Sequence, residues 1–303
     1  MRYQLITVLG PTAVGKTQLA VKLAYRFNGE IISADSRQVY KRMDIGTGKD
    51  LSEYFYKGKQ IRYHLIDLVE PAEEFNLFLF QKKFFEAFNE IISKGKIPFL
   101  VGGTGLYLSS VLQGYNLPEV EFDEKRIAEL KKIDIETLRK KLLSLNPNLH
   151  NKTDLQNIDR LVKAIIIAEK RPANLTDEKR RVSSLVIGIK VENKILRKRI
   201  EERLERRLKG GMIEEVENLL AEGITHEKLR AFGLEYKYVS MYLQKEINYN
   251  DLFQKLSTAI YKFAKRQMTW FRKMEREGVK INRIEGADYE TAKQLIETEF
   301  FEK

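Results

Sequence analysis

Short apolar runs and helix-spaced patterns alternate through the first third of the chain. Residues 4–9 form an apolar run that stops at Gly-Pro, and residues 16–27 repeat apolar positions at helical spacing. Residues 30–33 form another short run, 61–68 alternate weakly, 75–93 predict a helix apolar on most sides, and 97–101 run into Gly-Gly. Strand-like runs separated by helical patterns predict an α/β fold, a parallel sheet covered by helices. From residue 119 the texture changes. Residues 121–145 and 155–170 predict helices with few strand signals, so 118–182 is expected to be a helical insertion. Residues 184–191 predict a strand returning to the sheet, and the remainder reads as mostly helical. The expected parts are therefore 1–117, the first part of the core; 118–182, the insertion; and 183–303, the return strand and C-terminal helices.

Chemistry enters at the first strand-to-helix junction. Gly10-Pro11-Thr12-Ala13-Val14-Gly15-Lys16-Thr17 fits G-x-x-x-x-G-K-[ST] at every fixed position. Glycines let backbone N–H groups turn inward around phosphate oxygens, and the following helix adds its N-terminal partial charge. Lys16 supplies a point charge, and Thr17 is placed to ligate Mg²⁺. This motif implies a polyphosphate and a P-loop NTPase-like core, but names neither nucleotide nor reaction. Asp35 follows the second run, where parallel sheets bind ligands. It is either a ligand-facing carboxylate or a helix cap. His64-Leu65-Ile66-Asp67 resembles a second strand end with an acid. Asp67 is either near a metal or a turn acid, the latter preferred, and His64 is expected to be structural. Gly102-Gly103-Thr104-Gly105 permits close backbone approach to a ligand, or is a tight connection needing positive φ.

Charge changes the picture further. The 303 residues carry 54 Lys and Arg against 43 Asp and Glu, a formal net charge of +11, which favours a polyanionic partner. The chain has no Cys and three His, which excludes disulfides, a cysteine nucleophile and thiolate zinc. No signal peptide is visible, and the uncharged stretch 97–118 is too rich in Gly, Ser, Gln and Asn to span a membrane. The expected location is the cytoplasm and the expected state a monomer. In 194–209, Leu196, Ile200, Leu204 and Leu208 recur every four residues as a buried stripe flanked by Arg199, Arg203 and Arg206 or Arg207. In 255–280, Leu256, Ile260, Phe263, Gln267, Trp270, Phe271 and Met274 are expected on one face, with Lys262, Lys265, Arg266, Arg272, Lys273 and Arg276 toward another. Residues 255–283 hold nine Lys and Arg against two Glu. That surface suits nucleic-acid phosphates unless it is merely a solvated face.

The ordered motifs resemble the tRNA dimethylallyltransferase (tRNA isopentenyltransferase) family of bacterial type. The resemblance rests on residues 10–17, Ser33-Ala34-Asp35-Ser36-Arg37-Gln38-Val39-Tyr40, Met43–Thr47, His64–Asp67, Val101–Tyr107, Arg203 with 211–216, and 264–272. It implies transfer of a dimethylallyl group from dimethylallyl diphosphate to N6 of adenine 37 of tRNA, with Mg²⁺. It implies that the phosphate loop and Arg203 hold the donor's diphosphate, that Thr17 assists with Mg²⁺, and that Asp35 engages N6 as general base. Asp35, Ser36, Arg37, Gln38 and Thr104 would touch tRNA. In the insertion, Asp159, Arg160 and Lys163, with Arg126 as a weaker match, would do the same, and Lys265 and Arg266 would follow the anticodon stem.

The sequence departs from the family pattern in places. Gly48-Lys49-Asp50 stands where Ala-Lys-Pro is usual, Tyr63 replaces the first of a His pair, and Phe232-Gly233-Leu234-Glu235-Tyr236-Lys237 replaces Ile-Gly-Tyr-Lys-Glu. Lys163-Ala-Ile-Ile also stands where Arg-Ala-Leu-Glu follows Arg160 in the family. Two other readings use the same residues: a P-loop small-molecule kinase with incidental basic helices, and a tRNA-binding paralogue without turnover.

Overall fold

The computed structural model describes residues 3–146, 155, 157–170 and 181–301. They divide into two compact units, one of residues 1–113 with 181–303 and one of residues 114–180. The insertion expected at 118–182 and the second unit differ by a few residues at each end.

In the larger unit, β1 (Leu5–Leu9) leads into α1 (Lys16–Arg26) and β2 (Gly29–Ala34). A short hairpin of β3 (Phe55–Tyr56) and β4 (Lys59–Gln60) precedes β5 (Tyr63–His64), α2 (Leu77–Ser93), β6 (Ile97–Gly102) and α3 (Gly105–Leu112). The second unit holds α4 (Glu124–Lys131), α5 (Ile135–Leu145) and α6 (Ile158–Glu169). The chain returns through β7 (Ser184–Lys190) to α7 (Asn193–Lys209), α8 (Met212–Ala221), α9 (His226–Phe232), α10 (Leu234–Leu243) and α11 (Tyr249–Arg276). It ends with β8 (Ile281–Glu285) and α12 (Tyr289–Ile296).

The main sheet has the order β5-β2-β6-β1-β7-β8, and every pairing in it is parallel. This is the P-loop-like α/β architecture the alternation predicts. Successive residues of β1 divide between two cores, as the two-residue period of a strand requires. Ile6 and Val8 pack with Leu19, Leu23, Leu196 and Ile200, whereas Leu5 and Leu9 pack with Phe80, Phe84, Leu108 and Phe271. Both faces of β1 are thus covered, which is why its residues are nearly all apolar. The second unit has its own core of Leu130, Leu138, Leu142, Leu161, Val162, Ile165 and Ile166.

Four local expectations need correction. The helix predicted over 121–145 is two helices, because the Asp134 side chain accepts the Thr137 N–H and starts a new one. The weak alternation of 61–68 yields a strand of two residues, since Leu65 and Asp67 adopt positive φ. The last long helix stops at Arg276, before Gly278 at φ +93°, so Lys280 lies outside it. The strand β8 was not anticipated, because only Ile284 of its five residues is buried. Among the described residues, no helix is long and apolar enough to cross a membrane.

Candidate active site

Parallel strands bring their carboxyl ends to one edge of the sheet, and three of those ends carry the chemistry predicted from the sequence. The loop 10–17 leaves β1, Asp35 follows β2, and Thr104 follows β6. The register pairs Leu9 with Gly102, and Gly102 with Ala34, so the three junctions lie side by side.

The loop curls around its own backbone. Ala13 and Gly15 hold positive φ of +62° and +85°, and the Lys16 Nζ donates to the Pro11 carbonyl at 2.7 Å. Gly10 packs against Val14 and Ile189, and Val14 is fully buried. Desolvation of the Lys16 ammonium, followed by the charge of Arg203, lowers its pKa to about 8. A bound polyphosphate favours the charged form, so binding takes up a proton once the free protein is above that pKa. After correction for the titration of pyrophosphate itself, its affinity is therefore expected to be flat below about pH 8 and to fall by up to about tenfold per pH unit above it. Calorimetry in buffers of different ionisation enthalpy measures that proton; a pH-independent affinity from 7 to 9.5 would contradict it.

Asp35 is held at the strand end as a turn acid, and no helix follows it. Its Oδ1 accepts the Arg37 N–H at 2.9 Å, and the preceding amide, Ser36 N–H, donates to Thr104 Oγ1 at 3.1 Å. Gln38 is fixed between the Ser33 hydroxyl, which donates to its Oε1 at 3.2 Å, and the Gly48 carbonyl, which its Nε2 reaches at 3.3 Å. Arg203 projects from α7 to the phosphate loop, where its Nη1 donates to Thr12 Oγ1 at 3.2 Å. Burial depresses its pKa, offset by Glu235, Glu53 and Asp35. Phosphate loop, Asp35–Gln38, Thr104 and Arg203 therefore form one site.

Of the two roles expected for glycines 102, 103 and 105, positive φ does not apply, and a third appears in their packing. None has positive φ, and all three allow a close approach of neighbouring protein atoms. A side chain on Gly103 would strike Gln267, and one on Gly105 would strike Trp270, both on α11. Gln267 is a site residue that sequence reasoning placed only as part of an apolar face. Its Oε1 accepts the Thr12 N–H at 2.9 Å and its Nε2 donates to the Gly103 carbonyl at 2.8 Å, clamping the phosphate loop to the β6 turn. A polar residue amid an apolar stripe was the available signal. Trp270 donates to Ser109 Oγ at 2.9 Å.

The loop 43–49 was recognised by motif but not by role. Glu215 of α8 accepts the N–H groups of Asp44, Ile45 and Gly46 and the Tyr236 hydroxyl, at 2.6–3.0 Å. The buried Lys49 ammonium donates to the Tyr40 carbonyl, Asp44 and Asp67. Asp67 is thus a turn acid paired with lysine, and His64 is structural, its Nε2 2.8 Å from the buried Glu30.

The remaining predicted residues lie elsewhere. Lys265 and Arg266 are exposed on α11, the first 4.7 Å from the centre of the Tyr261 ring and the second 5.7 Å from that of Phe263. Phe263 itself is 38% exposed and does not join the apolar face. In the second unit, Arg160 is exposed, Lys163 lies over the Phe122 ring, and Asp159 pairs with Lys131. Arg126 is already matched within that unit by Glu169 and Glu129.

The family model described as IPP transferase matches residues 38–274, and that described as isopentenyl transferase matches residues 3–71. A tRNA dimethylallyltransferase from Syntrophus aciditrophicus is 48% identical over 299 residues, covering 98% of each chain. Another, from Geotalea daltonii, is 51% identical over 287 residues, or 95% of this chain and 92% of its own. The crystal structure of full-length tRNA isopentenylpyrophosphate transferase from Bacillus halodurans aligns with a TM-score of 0.69 at 31% identity, covering 98% of this chain and 95% of that one.

Proposed function

The chain belongs to the IPP transferase family, and from that premise we propose that it transfers a dimethylallyl group from dimethylallyl diphosphate to N6 of adenine 37 in tRNA. It is a tRNA-modifying prenyltransferase, working as a cytoplasmic monomer. The observation that carries this reading is the reach of Arg203 across 191 residues of chain to Thr12. It places a fixed cation on the phosphate loop, beside the strand end that bears Asp35.

The loop amides, Lys16 and Arg203 hold the diphosphate and stabilise the charge that develops as it leaves the allylic carbon. Asp35 accepts the proton lost by the adenine amine, a weak nucleophile. Ser36, Arg37, Gln38 and Thr104 line the entry for a base drawn out of its stack. The donor set suits Mg²⁺, because Thr17 and Asp35 offer hard oxygens. Among the described residues, no group of three or more His, Asp or Glu could cage an ion, so substrate phosphates would supply most of its ligands. Thr17 would hold the ion, and when bound it would neutralise charge on the diphosphate.

The basic side of α11, with Arg160 and Lys163 of the second unit, follows tRNA phosphates. Arg266→Glu is expected to weaken tRNA binding and to lower the slope of log affinity against log salt by about one to two. An unchanged slope returns that face to solvent. The reaction itself is tested with labelled dimethylallyl diphosphate, Mg²⁺ and unmodified tRNA, followed by digestion. N6-dimethylallyladenosine is expected; its absence with several tRNAs bearing adenine at 36 and 37 overturns the reading. Tight tRNA binding without product would indicate a paralogue that has lost turnover, and ATP-dependent phosphorylation of a metabolite a kinase.

A further inference from the structure

Two positions at which the sequence departs from the family pattern, Gly48 and Glu235, meet at one side chain, Arg207. It lies one helical turn beyond Arg203 on α7, on the same face. Gly48 holds φ +68°, and a side chain there would collide with the Nη2 atoms of both Arg203 and Arg207. The two guanidinium groups therefore share the space a Cβ would fill. They lie side by side, although like charges repel.

Three carboxylates, Glu235, Glu53 and Asp35, act on the pair, and among the described residues only Glu235 comes within ion-pair distance. Arg207 Nη1 is 3.6 Å from Glu235 Oε1, and Arg207 Nη2 is withdrawn from solvent with no hydrogen-bond partner among the described residues. The side chain is 14% exposed. Burial first and Arg203 second lower the Arg207 pKa to about 10, while burial raises that of Glu235. Asp35 and Glu53 act on these guanidinium groups through space. An unpaired buried donor beside a second guanidinium calls for an anion that accepts from both.

We propose that Arg207 is a second diphosphate-binding arginine, donating Nη2–H to an oxygen of the leaving diphosphate beside Arg203, with Gly48 making the space and the Glu235 carboxylate competing for the guanidinium through Nη1. This rests on the prenyl-transfer reading above and adds a contact to it.

The probe is inorganic pyrophosphate with Mg²⁺, titrated calorimetrically, together with the KM for dimethylallyl diphosphate and for tRNA. Arg207→Gln and Arg207→Met, the latter keeping the apolar stem, are expected to weaken pyrophosphate about 10- to 100-fold, the range for a hydrogen bond between charged groups. The donor KM should rise in parallel while the KM for tRNA stays within about twofold. Glu235→Gln removes the competing acceptor and should tighten pyrophosphate severalfold, a gain that should vanish when it is combined with Arg207→Gln, whereas a gain acting through Arg203 alone would persist. Unchanged pyrophosphate affinity in a folded Arg207 variant, or no tightening in Glu235→Gln, overturns the assignment. Wild-type protein that binds no pyrophosphate overturns both the assignment and the diphosphate reading of the loop. Loss of binding in Arg203→Ala but not in the Arg207 variants overturns the assignment alone.

Discussion

Asp35→Ala is expected to lower kcat by about 10²- to 10⁴-fold, the usual contribution of a positioned general base. The donor KM should change little, because the phosphate loop, Lys16 and Arg203 remain in place. Asp35→Asn sharpens the test. An amide oxygen still accepts the Arg37 N–H that Asp35 Oδ1 takes at 2.9 Å, so the turn survives. Ser36 also remains tied to Thr104. What Asn cannot do is take a proton. Single-turnover rates with enzyme in excess over tRNA isolate the chemical step from product release. Equal losses in Ala and Asn variants assign the effect to the base; a near-normal rate in either removes Asp35 from that role.

Gln267→Leu should be the most damaging single change that touches no substrate. Leucine fills a similar volume on α11, so packing changes little. It strips the Thr12 N–H and the Gly103 carbonyl of their partners at once. A buried, unsatisfied polar group costs about 1–3 kcal/mol, and with the Gly103 carbonyl buried but Thr12 only half-buried the change should cost about 1–4 kcal/mol. The urea midpoint should fall with an unchanged m-value, and the donor KM should rise because Thr12 is also the anchor for Arg203. Gln267→Glu keeps the acceptor for Thr12 but turns the other oxygen against the Gly103 carbonyl, so it should recover only part of the loss. A stability change below about 0.5 kcal/mol in Gln267→Leu would show that water replaces both bonds.

Sequence reasoning reached some parts of this molecule and not others for physical reasons. The phosphate loop and Asp35 were legible because their chemistry needs fixed residue types at fixed spacing. The strands β1, β6 and β7 were legible because burial on both faces leaves a mostly apolar run, and β2 showed only as the Ile31-Ile32 pair between polar residues. The edge strand β8 was not, since one buried isoleucine does not make a pattern. The break between α4 and α5 was hidden because apolar spacing continues across it; the signal was Asp134, three residues before Thr137. Gln267 and Arg207 were hidden for a shared reason. Each is a polar residue on a helix, and only a partner more than 150 residues away gives it a meaning. Gln267 finds Thr12 and Gly103; Arg207 finds Gly48.

The sheet order also has a consequence for synthesis. The strand β1 borders β6 on one side and β7 on the other, and the whole second unit is encoded between those two neighbours. At about 5–20 residues per second, a growing chain exposes one edge of Leu5–Leu9 for several seconds before residue 190 emerges. That edge is apolar on both faces and its backbone groups are unpaired, the state most prone to pairing with another chain. A fragment ending at residue 180 should therefore aggregate or require a chaperone, while one ending after α12 should not. Light scattering during cell-free translation of the two would reveal the difference, and equal scattering would mean that the exposed edge is shielded some other way.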